Sequence, residues 1–235
     1  MATSKVSVRL TWRSPEGAIL TKPAELTFVT KFEKPAAFAL INLDCATVEI
    51  AACDQLTGAV IFTKEFGLTG GQVFDWYQYF FFDPLVKRTQ IVDTSLSSTF
   101  SNTLLTVRIK NSVGTTVKLG SLIVGSVTKL GTLEANPTVG IIDYSRKDTD
   151  AFGNFTFVQR NFSKRLSAQV FIDNSQLNGV QRFLNEIRAT PSVWIGSEDP
   201  SFEESLVIYG FYRDFNIAIP YPQTSLCQLE IEGLT

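Results

Sequence analysis

The chain has 235 residues, of which 44% are hydrophobic and 19% charged, with a formal net charge of −2. That length holds one large β domain or two smaller ones, with ample apolar content for a core. Its near-balanced, scattered Lys and Arg exclude a nucleic-acid footprint, and the lack of histidine removes the usual catalytic triads and the commonest metal ligand.

From the N-terminus, MATSKVSVRL lacks the apolar core of a signal peptide, and no later apolar run is long enough to span a bilayer. The expectation is a soluble product made in the cytoplasm. KVSVRLTW, ELTFVT, AFALINL, TVEIAAC and AVIFTKEF then read as short strands, separated by Gly, Pro, Asn and Asp. DQLTGAV is a predicted hairpin turn in which Gly58 supplies a positive φ, and KNSVGTT is a second one built on Gly114. GLTGG, with Gly67, Gly70 and Gly71, lacks the lysine of a phosphate-binding loop and reads as a turn.

DWYQYFFFDP, residues 75–84, breaks the pattern. As a strand it would put aromatic rings on both faces, where a strand with one wet side alternates. It is expected either to be buried on both sides, within its own domain or against a neighbouring subunit, or to offer a sugar-stacking platform. Trp76, Tyr77, Tyr79 and Phe81 are the candidate residues for interface or stacking. Asp75 and Asp83 bracket the run and argue against membrane insertion.

LLTVRIKN and KLGSLIVGSVTKL continue the strand pattern; Leu105, Val107 and Ile109 point one way, and Thr106, Arg108 and Lys110 the other. Many short strands at regular spacing predict a sandwich or barrel. The texture changes at residues 131–154, a long polar segment that suits a crossing between domains or a long arm. FTFVQRNFSKRLSAQVFI follows, then a predicted helix over about 174–188. Leu177, Val180, Leu184 and Ile187 recur there at helical spacing, Asp173, Asn174 and Ser175 offer N-caps, and Pro191 stops the helix. PSVWIG, LVIYGFYRDFNIAI and SLCQLEIEGL close the chain as strands. Tyr209, Phe211 and Tyr212 are taken as aromatics on an edge strand, exposed in a monomer and available to a subunit interface.

Carboxylates are the only catalytic option left. Asp143, Asp148 and Asp150 cluster in IIDYSRKDTD, and Asp199, Glu203 and Glu204 in SEDPSFEES, both in loop-like segments that read as solvated charge. Three dispersed cysteines, Cys45, Cys53 and Cys227, read as reduced thiols and not as a disulfide framework or zinc site. The expectation is no enzyme, no metal and no cofactor.

Two resemblances add to this reading. The run from IIDYSRKDTD through VFIDNSQLNGVQRFLNEIRATPSVWIG, with VIYGFYRDFNIAIPYP and CQLEIEGLT, resembles minor tail proteins of tailed bacteriophages and prophages. Its element order is similar to the ring-forming β domain of distal tail proteins. The first half is similar to discoidin-type (F5/8 C-like) jelly rolls through Val107, Arg108, Ile109, Leu119, Gly120, Leu122, Ile123 and Val124. The cysteine pair typical of extracellular members is missing. Together they imply a mainly β protein, with a jelly-roll sandwich over residues 1–130 and a barrel or sheet domain with one packed helix over 131–235. The function implied is a structural subunit of a tail tip or baseplate in the virion tail, assembled in the host cytoplasm. It would form a homo-oligomeric ring, most simply a hexamer, between tube and hub or fibres. The alternative is a carbohydrate-binding module that contacts a cell-surface glycan.

Overall fold

The computed structural model describes residues 8–10, 20–23, 25–68, 88–96, 102–111, 116–149, 152–197, 199, 202–220 and 222–234. The chain is mainly β, and its contacts divide it into two compact units, Val8–Val127 and a second running from Thr128 to the C-terminus.

The first unit contains β1 (Val8–Leu10), β2 (Leu20–Pro23), β3 (Glu25–Phe32), β4 (Ala37–Asp44), β5 (Thr47–Asp54), β6 (Val60–Gly67), β7 (Gln90–Asp93), β8 (Thr103–Lys110) and β9 (Thr116–Val127). One sheet runs β3-β8-β5-β6. In the other, β9 pairs with β1 and β2 on one side and with β4 on the other, and β7 lies beyond β4. All pairs are antiparallel. This interleaving of early and late strands is the double Greek key of a jelly roll. Alternation builds the core: β5 and β8 bury every second residue. Val48, Ile50, Leu105, Val107 and Ile109 meet Phe38, Leu40, Leu119, Leu122 and Val124 of the opposite sheet in one cluster. Phe38 also makes edge-on contacts with Phe62 and Phe66, each at 6.1 Å.

The predicted β5–β6 hairpin is present. Gly58 takes φ +68° and donates to the Asp54 carbonyl at 2.8 Å, while the Asp54 carboxylate accepts from the Thr57 amide and hydroxyl at 3.0 and 2.6 Å. Those bonds from Thr57 hold the Asp54 carboxyl below its ordinary pKa. Gly120 is needed for a different reason. Asn42 stands in the left-handed region at φ 57°, and a Cβ on Gly120 would come within 2.7 Å of the Asn42 Cβ. The turn expected at Gly114 lies outside the described residues. Strand β7, unread in the sequence, carries Asp93, a buried carboxylate paired with Lys64 and bonded by Ser95. Burial raises its pKa, but the bonds from Lys64 and Ser95 outweigh this and leave it below the ordinary value.

The second unit contains β10 (Thr132–Leu133), β11 (Thr138–Asp143), β12 (Arg146–Thr149), β13 (Phe155–Val158), β14 (Phe162–Asp173), helix α1 (Leu177–Glu186), β15 (Ser192–Ile195), the short helix α2 (Glu203–Leu206), β16 (Val207–Ala218) and β17 (Thr224–Gly233). Its sheet runs β14-β17-β16-β15, with β10 and β11 both along the other edge of β14. Helix α1 lies on this sheet through Val180, Leu184 and Ile187, against Leu166, Ala168, Val170 and Ile172 of β14 and Leu229 and Ile231 of β17. It is shorter than expected at both ends, and α2 was not read at all. Its N-cap position is Gln176, which makes no side-chain cap bond. Asn174 does not cap because it ties the start of β17: its amide donates to the Pro222 carbonyl at 2.9 Å and its oxygen accepts from Ser225.

Candidate functional site

The aromatic residues Trp76, Tyr77, Tyr79 and Phe81 lie outside the described residues. The second aromatic group divides. Strand β16 is not an edge strand: it pairs with β15 through Val207–Gly210 and with β17 from Gly210 onward. Tyr209 and Phe211 are half-buried on one face, while Tyr212 faces inward beneath helix α1. Its hydroxyl donates to the Leu184 carbonyl at 2.8 Å, and its ring meets Trp194 and Phe215 edge-on. Burial pushes the Tyr212 phenol above its usual pKa. Tyr212 is therefore core, and the expectation of an exposed aromatic row fails at that residue because strand alternation turns it away from Tyr209 and Phe211.

Exposed apolar surface gathers elsewhere, where the segment 131–154, read from sequence as a crossing or an arm, pairs with the FTFVQRNF that follows it. Strands β11 and β14 pair from Thr138↔Ser167 to Asp143↔Phe162. Beyond them the Tyr144 amide donates to the Asn161 carbonyl and the Arg160 amide to Ser145 Oγ. The same two chain segments then pair again as β12 and β13, from Arg146↔Val158 to Thr149↔Phe155. The result is one continuous ribbon with a single irregularity near Tyr144. Strand β17 accompanies β14 only as far as Arg165↔Glu232, so among the described residues the ribbon is two strands wide from Lys164 to Phe155. That stretch spans roughly 30 Å at ~3.3 Å per residue.

Its base is anchored. Tyr144 Oη donates to Glu232 Oε1 at 2.9 Å and lies 3.2 Å from Ser163 Oγ, and Lys164 Nζ donates to the Glu204 carbonyl at 2.9 Å. Along the ribbon, one face near the tip carries Phe155 and Phe157, whose rings meet at 5.4 Å, with Lys147 Nζ 4.7 Å over the Phe155 ring. Arg146 and Asp148 pair on the opposite face. At the base, Val139, Ile141 and Phe162 continue the sheet face that α1 covers further along, but here they stand in solvent.

Of the candidate carboxylates, Asp143 stabilises a local turn and Asp148 pairs with Arg146. Asp143 accepts from the Ser145 amide at 2.8 Å, and the Ser145 bonds keep its carboxyl below the ordinary pKa. Asp199 takes the Phe202 amide on its backbone carbonyl at 3.0 Å, at the turn into α2. Asp150 lies outside the described residues. Among those described, no group of three or more His, Cys, Asp or Glu side chains could hold a metal ion, and no helix is long and apolar enough to cross a membrane. All three cysteines are free, and burial pushes the Cys227 thiol up to about 11, which leaves it a poor nucleophile.

On the outward face of sheet β3-β8-β5-β6, register places Val29, Lys31, Glu49, Ala51, Thr106 and Arg108. Among the described residues no aromatic ring stands on that face, so sugar stacking gains no support there. No protein-family model matches the chain, and no curated protein matches its sequence.

Proposed function

We propose that this chain is a non-enzymatic structural subunit of a bacteriophage tail tip or baseplate. It forms a homo-oligomeric ring, sixfold to match a tail tube, through its C-terminal unit. The N-terminal jelly roll then faces hub, fibres or the cell surface. The observation that carries this reading is the ribbon of β11–β14: a water-soluble monomer has little use for a narrow two-stranded extension lined with Phe. A subunit repeated around a cylinder does have a use for it, because every copy must bury the same patch. The resemblance of the C-terminal half to phage minor tail proteins supports the same conclusion.

The test is position and copy number in intact particles. Antibody labelling of purified virions should mark the tail end, and quantitative mass spectrometry should give several copies per particle. One copy per particle, or label on the capsid, sinks the proposal.

A further inference from the structure

We propose that the ribbon joins copies of this chain head to tail: Phe155 and Phe157 near its tip pack on Val139, Ile141 and Phe162 at the base of the next copy's ribbon. This rests on the reading of the chain as a ring subunit and identifies the contact that closes the ring.

Three observations lead to a second copy as the occupant. The first is area. Phe152, Phe155, Phe157 and Phe162 are 91, 59, 69 and 52% exposed. At roughly 200 Å² per ring, the three tip rings offer on the order of 400 Å² of apolar surface to water, and Phe162 at the base about 100 Å² more on the other patch. A stable interface takes about 800 Å² from each partner, polar rim included, and Val139 and Ile141 are exposed beside Phe162. The second is that tip and base are different places along one antiparallel ribbon. The antiparallel pairing holds them apart, so a copy cannot cover its own base and each copy carries one donor patch and one acceptor patch. Such a contact is heterologous and builds rings or chains.

The third is charge. Lys147 lies over the tip ring Phe155, while Asp143 pairs across from Phe162 at the base. Tip on base sets this cation against this anion; tip on tip would set Lys147 against Lys147. The other cation at the base, Lys164, is already turned onto the Glu204 carbonyl. The edge agrees with the faces. Among the described residues strand β11 pairs only with β14, and from Thr138 to Ile142 it has no charged residue of the kind that protects an open edge from pairing. A ribbon two strands wide is also marginal in water and gains order when a third element covers it.

The full chain is measured by sedimentation and light scattering as wild type, as a tip variant (Phe155→Ser with Phe157→Ser) and as a base variant (Val139→Ser with Ile141→Ser). Circular dichroism and thermal melts serve as folding controls. Wild type should assemble, each variant alone should be monomeric, and an equimolar mixture should give a one-to-one dimer, because one intact tip and one intact base remain. Lys147→Glu and Asp143→Lys should each weaken assembly, and the two in one chain should restore it. A wild type that stays monomeric at every concentration reached overturns the proposal, as does a mixture that stays monomeric. Assembly by either variant alone, or failure of the charge exchange to rescue, does so too. Particle labelling answers separately: a tail-end protein that never self-associates loses this contact but keeps its place in the tail, and a head-to-tail oligomer absent from tails does the reverse.

Discussion

The two units solve the same problem differently. In the jelly roll each sheet covers the other, so the alternate residues of β5 and β8 meet those of β4 and β9 in one closed cluster. The second unit has one sheet and one long helix. Helix α1 covers the middle of β14 and β17, and the end of β14 that carries Phe162 runs on uncovered. The same residue type thus has opposite status: Phe38 is fully buried, while Phe157 is mostly in water. A sheet that covers itself needs no partner; a sheet covered by one helix is complete only over that helix's length.

The largest effects should come from the two closed cores. Phe38→Ala should cost about 3–5 kcal/mol, and Leu184→Ala about 2–5 kcal/mol, since both side chains are fully buried. In urea unfolding followed by hydrogen exchange, the first should destabilise amides of β4, β5, β8 and β9 and the second those of β14, β16 and β17. Equal loss in both units from either change would break the comparison. Next comes Asp93→Asn, which removes the carboxylate that Lys64 and Ser95 hold in the sandwich. It should cost about 1–2 kcal/mol at neutral pH. The folded state keeps the Asp93 carboxyl below its unfolded value. Its contribution is therefore present above about pH 4 and fades as pH falls further, so urea midpoints of wild type and variant should converge in acid. A constant gap down to low pH would show that the charge contributes nothing.

Tyr212→Phe should cost about 0.5–1.5 kcal/mol, because the Leu184 carbonyl loses its donor under α1. A neutral result would mean that water replaces the hydroxyl there. The smallest change should be Phe157→Ser, within about 0.5 kcal/mol of wild type by thermal melting of the monomer. A large loss would show that the ribbon packs as a core element, and the contrast with Phe38 would disappear.

What could be read from the sequence follows the same division. Leu105, Val107 and Ile109 alternate against Thr106, Arg108 and Lys110 because one side is buried, and the face of α1 recurs at helical spacing for the same reason. The ribbon has no buried side to impose a period, so Arg146, Lys147 and Asp148 looked like loop residues. Strand β7 is four residues long and buried at three of them, too short and too uniform to alternate. The inward turn of Tyr212 is legible in the sequence: in YGFY the period of two already separates Tyr212 from Tyr209 and Phe211. The N-cap is not legible there, since Asn174 is engaged by Pro222 and Ser225, far along the chain.

The register of β1 on β9 has a consequence for how such a protein changes over generations. Val8 stands opposite Val127, so the chain enters and leaves the sandwich at neighbouring points of one ladder. A module whose ends meet can be spliced out, exchanged or inserted as a cassette while the rest of the chain needs only a short bridge across the gap. Replacing 8–127 by a few flexible residues should leave the helix-covered sheet folded. Recombination could then supply that sheet with one module after another.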